Sequence, residues 1–210
     1  MLRAKPFDPK RQRNVAIINK SIAGYWLGFD AARALPYLQR ALAVDEQRFA
    51  KDPGDQGIKL DLSFDYSQFG QYYSMKNELP TAIGYQRKTL AIRRDLAASD
   101  PEDVWKQERL AWTLTSIAYL QIKTRDYRAA LASLEESRRI LDRQGLSKAG
   151  TMTVYALVLK TAGEANRALG NEPAACAQFL KARDLYDKLG DSIKYPLTEL
   201  KKELAPCARR

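Results

Sequence analysis

Apolar residues along most of the chain recur every three or four positions, which is the spacing of one face of an α-helix. Leu131, Leu134 and Leu141 illustrate the pattern, since they share one face and polar residues fill the other. Polar breaks that read GFD, KNELP, TRD and GNEP divide these stretches into pairs of similar length. The pattern predicts an all-α chain of helices joined in pairs by short turns.

Four of these helix pairs align when the chain is compared with itself. Each second helix carries an alanine at the same point, and the alanines are 48, 48 and 45 residues apart: Ala34, Ala82, Ala130 and Ala175. The residues twelve positions earlier, in the first helices, are Ile22, Gly70, Ala118 and Gly163. A small residue facing an alanine lets two antiparallel helices approach closely. The small members of both sets are therefore predicted to be structural positions of a helix-turn-helix repeat.

Asp-Pro steps occur at Asp8, Asp52 and Asp100, the last two between aligned pairs. The residue before a proline is pushed out of the α region, and proline is tolerated at the first helical position. We therefore predict that Asp100 is the N-cap of a helix, with Glu102 and Asp103 in its first turn, where negative charge is favourable.

The order of residue types in the repeat resembles that of the tetratricopeptide repeat: a small residue, an alanine twelve positions later, an apolar residue after four more and a small residue after three more. The fourth pair carries it most clearly, in Gly163, Ala175, Phe179 and Ala182, and the third carries it in Ala118, Ala130, Leu134 and Ser137. Gln86, Thr89 and Ile22 depart from it.

The period is about 14 residues longer than is usual for this repeat. In this it is similar to long-period bacterial repeats that follow serine/threonine kinase-like domains, and more distantly to kinesin light chain repeats. A HEAT or armadillo array, whose repeat length is similar, is the alternative.

The resemblance implies an α-solenoid of antiparallel helix pairs with a right-handed superhelix. Residues 1–9 are interpreted as a basic N-terminal segment, the end of an upstream repeat or a linker. The four pairs are expected at about 10–52, 53–100, 101–147 and 148–195, followed by a capping helix and tail over 196–210. Leu197, Leu200 and Leu204 form the apolar stripe of that helix and are expected to cover the exposed face of the last pair.

The resemblance also implies a concave groove lined by the first helix of each pair, where a peptide or partner helix binds. The implied groove residues are Asn19, Ala23, Trp26, Ser67, Gln71, Ser74, Thr115, Tyr119, Ile122, Lys160, Glu164 and Arg167, with Phe64 and Trp112 on its wall. Two alternatives stay open, because solenoids also bury aromatic residues between repeats, and Lys160, Glu164 and Arg167 also fit a solvated charge ladder on one helix.

The net charge of +10 is concentrated at the two ends of the chain. Residues 1–20 carry a net charge of +5 and residues 194–210 carry +3, which leaves only +2 for everything between them. A helix face dense in Lys and Arg is not evident, so nucleic acid is not the expected partner. A nucleic-acid-binding helical repeat that uses its basic termini is the alternative function.

Catalytic chemistry has few candidate residues in this chain. It contains no histidine, which excludes histidine-dependent triads and histidine metal sites. Cys176 is interpreted as a small packing residue and Cys207 as a tail residue, and we expect them to be unpaired. We therefore expect no enzyme activity, no cofactor and no metal. The predicted function is a non-catalytic protein–protein interaction scaffold, the docking or regulatory region of a larger bacterial signalling protein.

No apolar stretch of the sequence approaches the roughly 18 residues that a membrane-spanning helix needs, so membrane insertion is not expected. Two cysteines and the lack of a signal peptide favour the cytoplasm. An extracytoplasmic location is the alternative if a parent protein carries an upstream membrane span. The oligomeric state is left open.

Overall fold

The computed structural model describes residues 8–190 and 200–207, and within these ranges the secondary structure is helical and contains no strand. The main helices are α1 (Pro9–Leu27), α2 (Ala31–Lys51), α3 (Gln56–Met75), α4 (Leu79–Ser99), α5 (Val104–Lys123), α6 (Tyr127–Gln144), α7 (Ala149–Ala168) and α8 (Glu172–Leu189). Each odd-numbered helix packs chiefly against the even-numbered helix that follows it. The predicted all-α class and the packing of adjacent helices in pairs are confirmed, whereas the right-handed superhelix stays a prediction.

Three of the four pairs are joined by the same tight turn. Its central residue lies in the left-handed region, with φ of 59° at Asn77, 63° at Arg125 and 78° at Gly170. The next backbone amide donates to the carbonyl oxygen five positions back, at 2.8 to 2.9 Å in all three turns. This arrangement satisfies carbonyl groups at the end of the first helix and reverses the chain. The α1–α2 turn differs, since the Asp30 amide donates to Trp26 O, four positions back, at 2.7 Å.

The N-cap of α5 is Asp103, so the prediction that Asp100 caps this helix is wrong. Helix α5 begins at Val104, and its N-cap is Asp103, whose side chain accepts hydrogen bonds from the amides of Trp105 and Lys106. Asp100 lies one turn earlier, and its carbonyl oxygen accepts from the Asp103 amide at 3.2 Å. Asp-Pro-x-Asp is therefore a turn whose second aspartate caps the helix.

The same arrangement recurs before α3. The Asp55 side chain accepts a hydrogen bond from the Ile58 amide, and the Asp55 amide donates to Asp52 O at 3.4 Å. At the start of α1 no second aspartate follows Pro9, and the cap there is Asp8 itself.

The glycines of the repeat lie where two helices approach most closely. A Cβ atom at Gly163 would lie 2.5 Å from Cε1 of Phe179, and one at Gly70 would lie 2.6 Å from Nε2 of Gln86. Each glycine thus faces the residue four positions after the repeat alanine. Gln86 departs from the repeat pattern in residue type but occupies the same buried position as Phe179.

Thr89, the other departure in the second pair, is also fully buried, and its hydroxyl donates to Tyr85 O on its own helix. A hydroxyl that is hydrogen-bonded within its own helix lets threonine occupy the buried position at which the repeat pattern has a small residue.

Contacts between Cα atoms divide the chain into two compact units, residues 1–99 and 100–210, with the boundary at the third Asp-Pro step. In the first unit, α1 and α2 pack on α3, and the core contains Leu27, Leu38 and Phe69. In the second unit, α7 packs on both α5 and α6. Its core comprises one cluster around Leu134 and Leu141, and another around the α7–α8 pair.

Residues 200–207 fold back on the α7–α8 pair, although parts of the predicted capping helix, residues 196–199 and 208–210, lie outside the described residues. Residues 200–204 are helical, and Leu200 is buried among residues of α7 and α8. Cys207 forms a disulfide bond with Cys176 of α8, with a Cα–Cα distance of 5.6 Å. The expectation that both cysteines are unpaired is therefore wrong, because the chain end returns to the last helix pair.

Candidate interaction surface

A stripe of aromatic side chains runs along the outer face of α5. We call Trp105, Trp112 and Tyr119 the α5 stripe; their side chains follow at seven-residue intervals and therefore drift by only about 20° per step around the helix. Their exposed fractions are 39%, 39% and 47%. The stripe is about 20 Å long at 1.5 Å per residue.

Two cations lie against the ends of the stripe. The Arg109 guanidinium is 5.1 Å from the ring centroid of Trp105, and the Lys123 ammonium is 5.1 Å from that of Tyr119. A cation over the face of an aromatic ring is attracted to it, by about 0.5 to 1 kcal/mol at exposed sites. Positive charge therefore lies between Trp105 and Trp112, at Arg109, and beyond Tyr119, at Lys123.

The opposite face of α5 fixes the helix in the second unit. Leu110, Leu114 and Ile117 are buried on that face. On the same side of α5 as the stripe, Glu108 accepts a hydrogen bond from the buried Thr151 hydroxyl of α7 at 2.5 Å, which joins the first helices of the third and fourth pairs. An amphipathic helix held in this way presents its aromatic residues on a rigid support.

Of the groove residues predicted on α5, only Tyr119 is exposed. Thr115 is 2% exposed, and its hydroxyl donates to Ala111 O at 2.9 Å and lies 3.2 Å from Ser137 Oγ. Thr115 is therefore a packing residue of the α5–α6 pair, which corrects its assignment to the groove. Ile122 is half-buried and packs against the same core. Trp112, assigned to the groove wall, is on the exposed face with Tyr119.

The three groove residues predicted on α7 form ion pairs with neighbouring residues. Lys160 donates to Glu164 one turn later at 2.5 Å, and both side chains are half-buried. Arg167 donates to both carboxylate oxygens of Glu172 and to Glu203 Oε2, the latter at 2.5 Å. Arg167 is thus bound by the chain's own C-terminal residues.

In the first unit, the predicted groove residues are less exposed than a binding surface requires. Asn19 donates to Val15 O of its own helix at 2.8 Å, and Trp26 is half-buried in the core, with the Arg33 guanidinium 4.7 Å from its ring. Ser67 is half-buried, and its carbonyl oxygen accepts from Gln86. Of the groove residues predicted in this unit, Gln71 alone is exposed.

A buried cluster of charged side chains joins α1, α2 and α3, and the sequence pattern did not predict it. Lys20 donates to Asp45, to Asp61 O at 3.1 Å and to Asp65 at 3.4 Å. Arg48 donates to Asp45 and, at 2.8 Å, to Asp61. A signal was present in the sequence, because Lys20 shares a helix face with Ala16, Ala23 and Leu27, where an apolar residue is expected.

Two carboxyl groups of this cluster have pKa values that are shifted in opposite directions. Burial raises the pKa of Asp65 to about 8, because the attraction of Lys20 is offset by repulsion from Asp45. Burial alone would also raise the pKa of Asp61, but hydrogen bonds from Arg48 and Arg13 outweigh it and lower that pKa. Asp65 is therefore neutral near pH 7 and Asp61 is charged. The cluster is structural in character, since every one of its charges is bound to another side chain of the same unit.

One group of side chains in the described residues has the spacing of metal ligands. The sulfur atoms of Cys176 and Cys207 and a Glu172 carboxylate oxygen lie within 4.8 Å of one another. The two sulfurs are bonded to each other, and both Glu172 oxygens accept hydrogen bonds from Arg167. These atoms are already engaged, and we assign no metal to them.

No protein-family model matches this chain, and a search of curated proteins finds no match. Among the described residues, no helix is both long enough and apolar enough to cross a membrane.

Proposed function

We propose that this chain is a non-catalytic protein–protein interaction scaffold that binds a peptide or a partner helix on its first helices. The α5 stripe is the observation that supports the proposal most strongly. Aromatic side chains dominate binding energies at interfaces, and a row of them that remains exposed on a rigid helix is a typical docking surface.

The chemistry of the stripe defines the kind of partner we propose. Three aromatic rings at helical spacing fit an amphipathic segment whose apolar anchors recur every seven residues. Arg109 lies between the first two rings and Lys123 lies beyond the third, so acidic side chains of that segment near these two positions would gain from complementary charge. The partner is therefore an apolar, acidic segment of another protein.

The biological setting is also a proposal. The resemblance to long-period bacterial repeats supports a docking or regulatory region within a larger signalling protein. The alternative function, nucleic-acid binding, relies on the basic termini, and several of their cationic residues lie outside the described residues.

The test uses a displayed library of random peptides, selected on the wild-type protein and measured by fluorescence anisotropy. We expect selected peptides to lose affinity about tenfold or more in Trp112→Ala and in Tyr119→Ala, because each variant removes an aromatic anchor. Leu180→Ala is the matched control, since Leu180 is 40% exposed in the same unit but lies on α8.

Equal affinity for all three variants would refute the assignment of binding to α5. Preferential binding of generic RNA, with an affinity that falls steeply as salt rises, would instead support the nucleic-acid alternative.

A further inference from the structure

Residues 200–207, which we call the docked segment, lie on the α7–α8 pair as a bound peptide would. Leu200 is 1% exposed and packs with Leu159, Phe179 and Tyr186. Leu204 and Cys207 pack against the same cluster, so the contacts recur at positions i, i+4 and i+7 of the segment. This is the contact pattern of an amphipathic helix in a groove.

Arg167 recognises the polar side of the docked segment. Its guanidinium donates to Glu203 Oε2 at 2.5 Å and to Glu203 O at 2.9 Å, and it lies 4.7 Å from the ring centroid of Phe179. Glu172 holds the same guanidinium from α8 at 2.7 Å. The surface therefore selects two features together, leucines on one face and a glutamate beside them.

A covalent bond fastens the segment to this surface. Cys207, the last described residue, is bonded to Cys176 on α8, and both cysteines are partly exposed. Three apolar contacts and one ion pair form a small interface, which on its own would exchange readily with a competing peptide. The polypeptide chain already joins the segment to α8, and the disulfide adds a second covalent link that keeps the segment from leaving and so excludes competitors.

We propose that the α7–α8 surface is a second binding surface, occupied in the oxidised protein by the docked segment and opened to a partner when the Cys176–Cys207 disulfide is reduced. The partner is a short amphipathic segment of another protein with leucines at i and i+4 and a glutamate at i+3, the chemistry that the docked segment itself supplies. This inference rests on different residues from those of the α5 stripe.

A dithiol reduces the Cys176–Cys207 disulfide by thiol–disulfide exchange. A thiolate of the dithiol attacks Cys176 Sγ, the Cys176–Cys207 bond breaks, and Cys207 leaves as a thiolate. The second thiolate of the dithiol then closes on the mixed disulfide and releases Cys176, so two electrons and two protons pass to the protein while the dithiol becomes a cyclic disulfide. Arg167 lies 3.6 Å from Cys207 Sγ and stabilises that leaving thiolate. A disulfide persists in oxidising compartments and is reduced in the cytosol, so the compartment would decide whether this surface is open.

The probe is a fluorescent peptide, LKKELAPS, which copies residues 200–207 with serine in place of cysteine. We expect it to bind the protein reduced with dithiothreitol about tenfold or more tighter than the oxidised protein, since only the reduced protein frees the surface. The variant Cys176→Ser/Cys207→Ser should bind the peptide with or without dithiothreitol, which controls for other effects of the reductant. Adding Glu203→Lys to this variant weakens the binding of the docked segment without altering the surface, so binding of the peptide should increase further.

Equal binding to the oxidised and reduced proteins, or no binding to the triple variant, would overturn the inference. A peptide with lysine at the glutamate position should bind more weakly, because it would meet Arg167. Trp112→Ala should leave the binding of LKKELAPS unchanged. If library peptides bind the α5 stripe but LKKELAPS binds no form of the protein, this inference fails and the proposed function stands.

Discussion

At the scale of single residues, the most unusual feature is the set of charged side chains buried inside the first unit. Burying a charge is costly unless it is paired, and here Lys20 and Arg48 are each bound to carboxylates. Asp65 is the exception, since burial beside Asp45 keeps it protonated at neutral pH. The stability of the first unit should therefore depend on pH through this residue.

The predicted pH dependence follows from the direction of the pKa shift. Between the ordinary pKa of 3.8 and about 8, folded Asp65 holds a proton that the unfolded chain has lost, so the free energy of unfolding falls as pH rises through this range. Asp65→Asn retains the size and shape of the side chain but removes its titratable carboxyl group. We expect it to be more stable than wild type by an amount that grows to the order of 1 to 3 kcal/mol at pH 8. Urea denaturation at pH 5 and pH 8 measures the difference.

Asp61→Asn is the matched control, because Asp61 lies in the same cluster but has a lowered pKa. Its charged form stabilises the fold, so the variant should be less stable than wild type at pH 7, and the deficit should shrink as pH falls below about 4. An Asp65→Asn variant whose advantage is the same at both pH values would contradict the assignment of a raised pKa.

At the scale of helices and turns, close packing within a pair depends on the repeat glycines. The space opposite Gly163 is filled by the ring of Phe179, which is fully buried and cannot move aside without disturbing the core. Gly84 lies on the exposed side of α4, and a Cβ atom added there would have no neighbouring atom within 4 Å. Two glycines in helices thus differ in whether a methyl group can be accommodated.

We predict that Gly163→Ala lowers the free energy of unfolding by about 1 to 3 kcal/mol through overpacking. Gly84→Ala should instead raise it by about 0.5 to 1 kcal/mol, because alanine favours the helix. Urea denaturation of both variants against wild type provides the comparison. Stabilisation by Gly163→Ala would show that the two helices are not in such close contact.

The Asp-Pro-x-Asp turn also allows a test of which aspartate caps α5. Asp103→Ala should lower the free energy of unfolding by about 1 kcal/mol, because two backbone amides lose their acceptor. Asp100→Ala should cost less than about 0.5 kcal/mol, since its side chain contributes only a half-exposed ion pair with Lys106 at 3.2 Å. The two variants can be compared by thermal unfolding, and a larger loss for Asp100→Ala would restore the cap predicted from the sequence.

At the scale of the whole molecule, the sequence predicted the helices and their pairing because periodicity and turn residues are local signals. The sequence pattern placed Ala175 opposite Gly163, whereas the residue that faces this glycine is Phe179, four positions later. It was harder to predict which residues of a helix are buried and which are exposed. Thr115 lies at the groove spacing that the resemblance implies, but it is buried, and its hydroxyl is hydrogen-bonded inside the α5–α6 pair.

Local sequence patterns did not identify the partners in contacts between residues distant in the sequence. The disulfide joins residues 31 positions apart and required the chain end to return to α8. Lys20 and Asp65 belong to different helix pairs, and only the tertiary packing brings them together. The α5 stripe was predicted in part, through Tyr119 and Trp112, while Trp105 emerged only from the exposed face of the folded helix.

The α5 stripe is the central claim, and tryptophan fluorescence tests it most directly. The chain has three tryptophans, and Trp26→Phe leaves only Trp105 and Trp112, both in the stripe. A library peptide bound to this variant should change the tryptophan emission, with the same midpoint as the anisotropy of the labelled peptide, because it covers both indole rings. A peptide that binds by anisotropy but leaves the emission unchanged would contradict the claim that partners bind on α5.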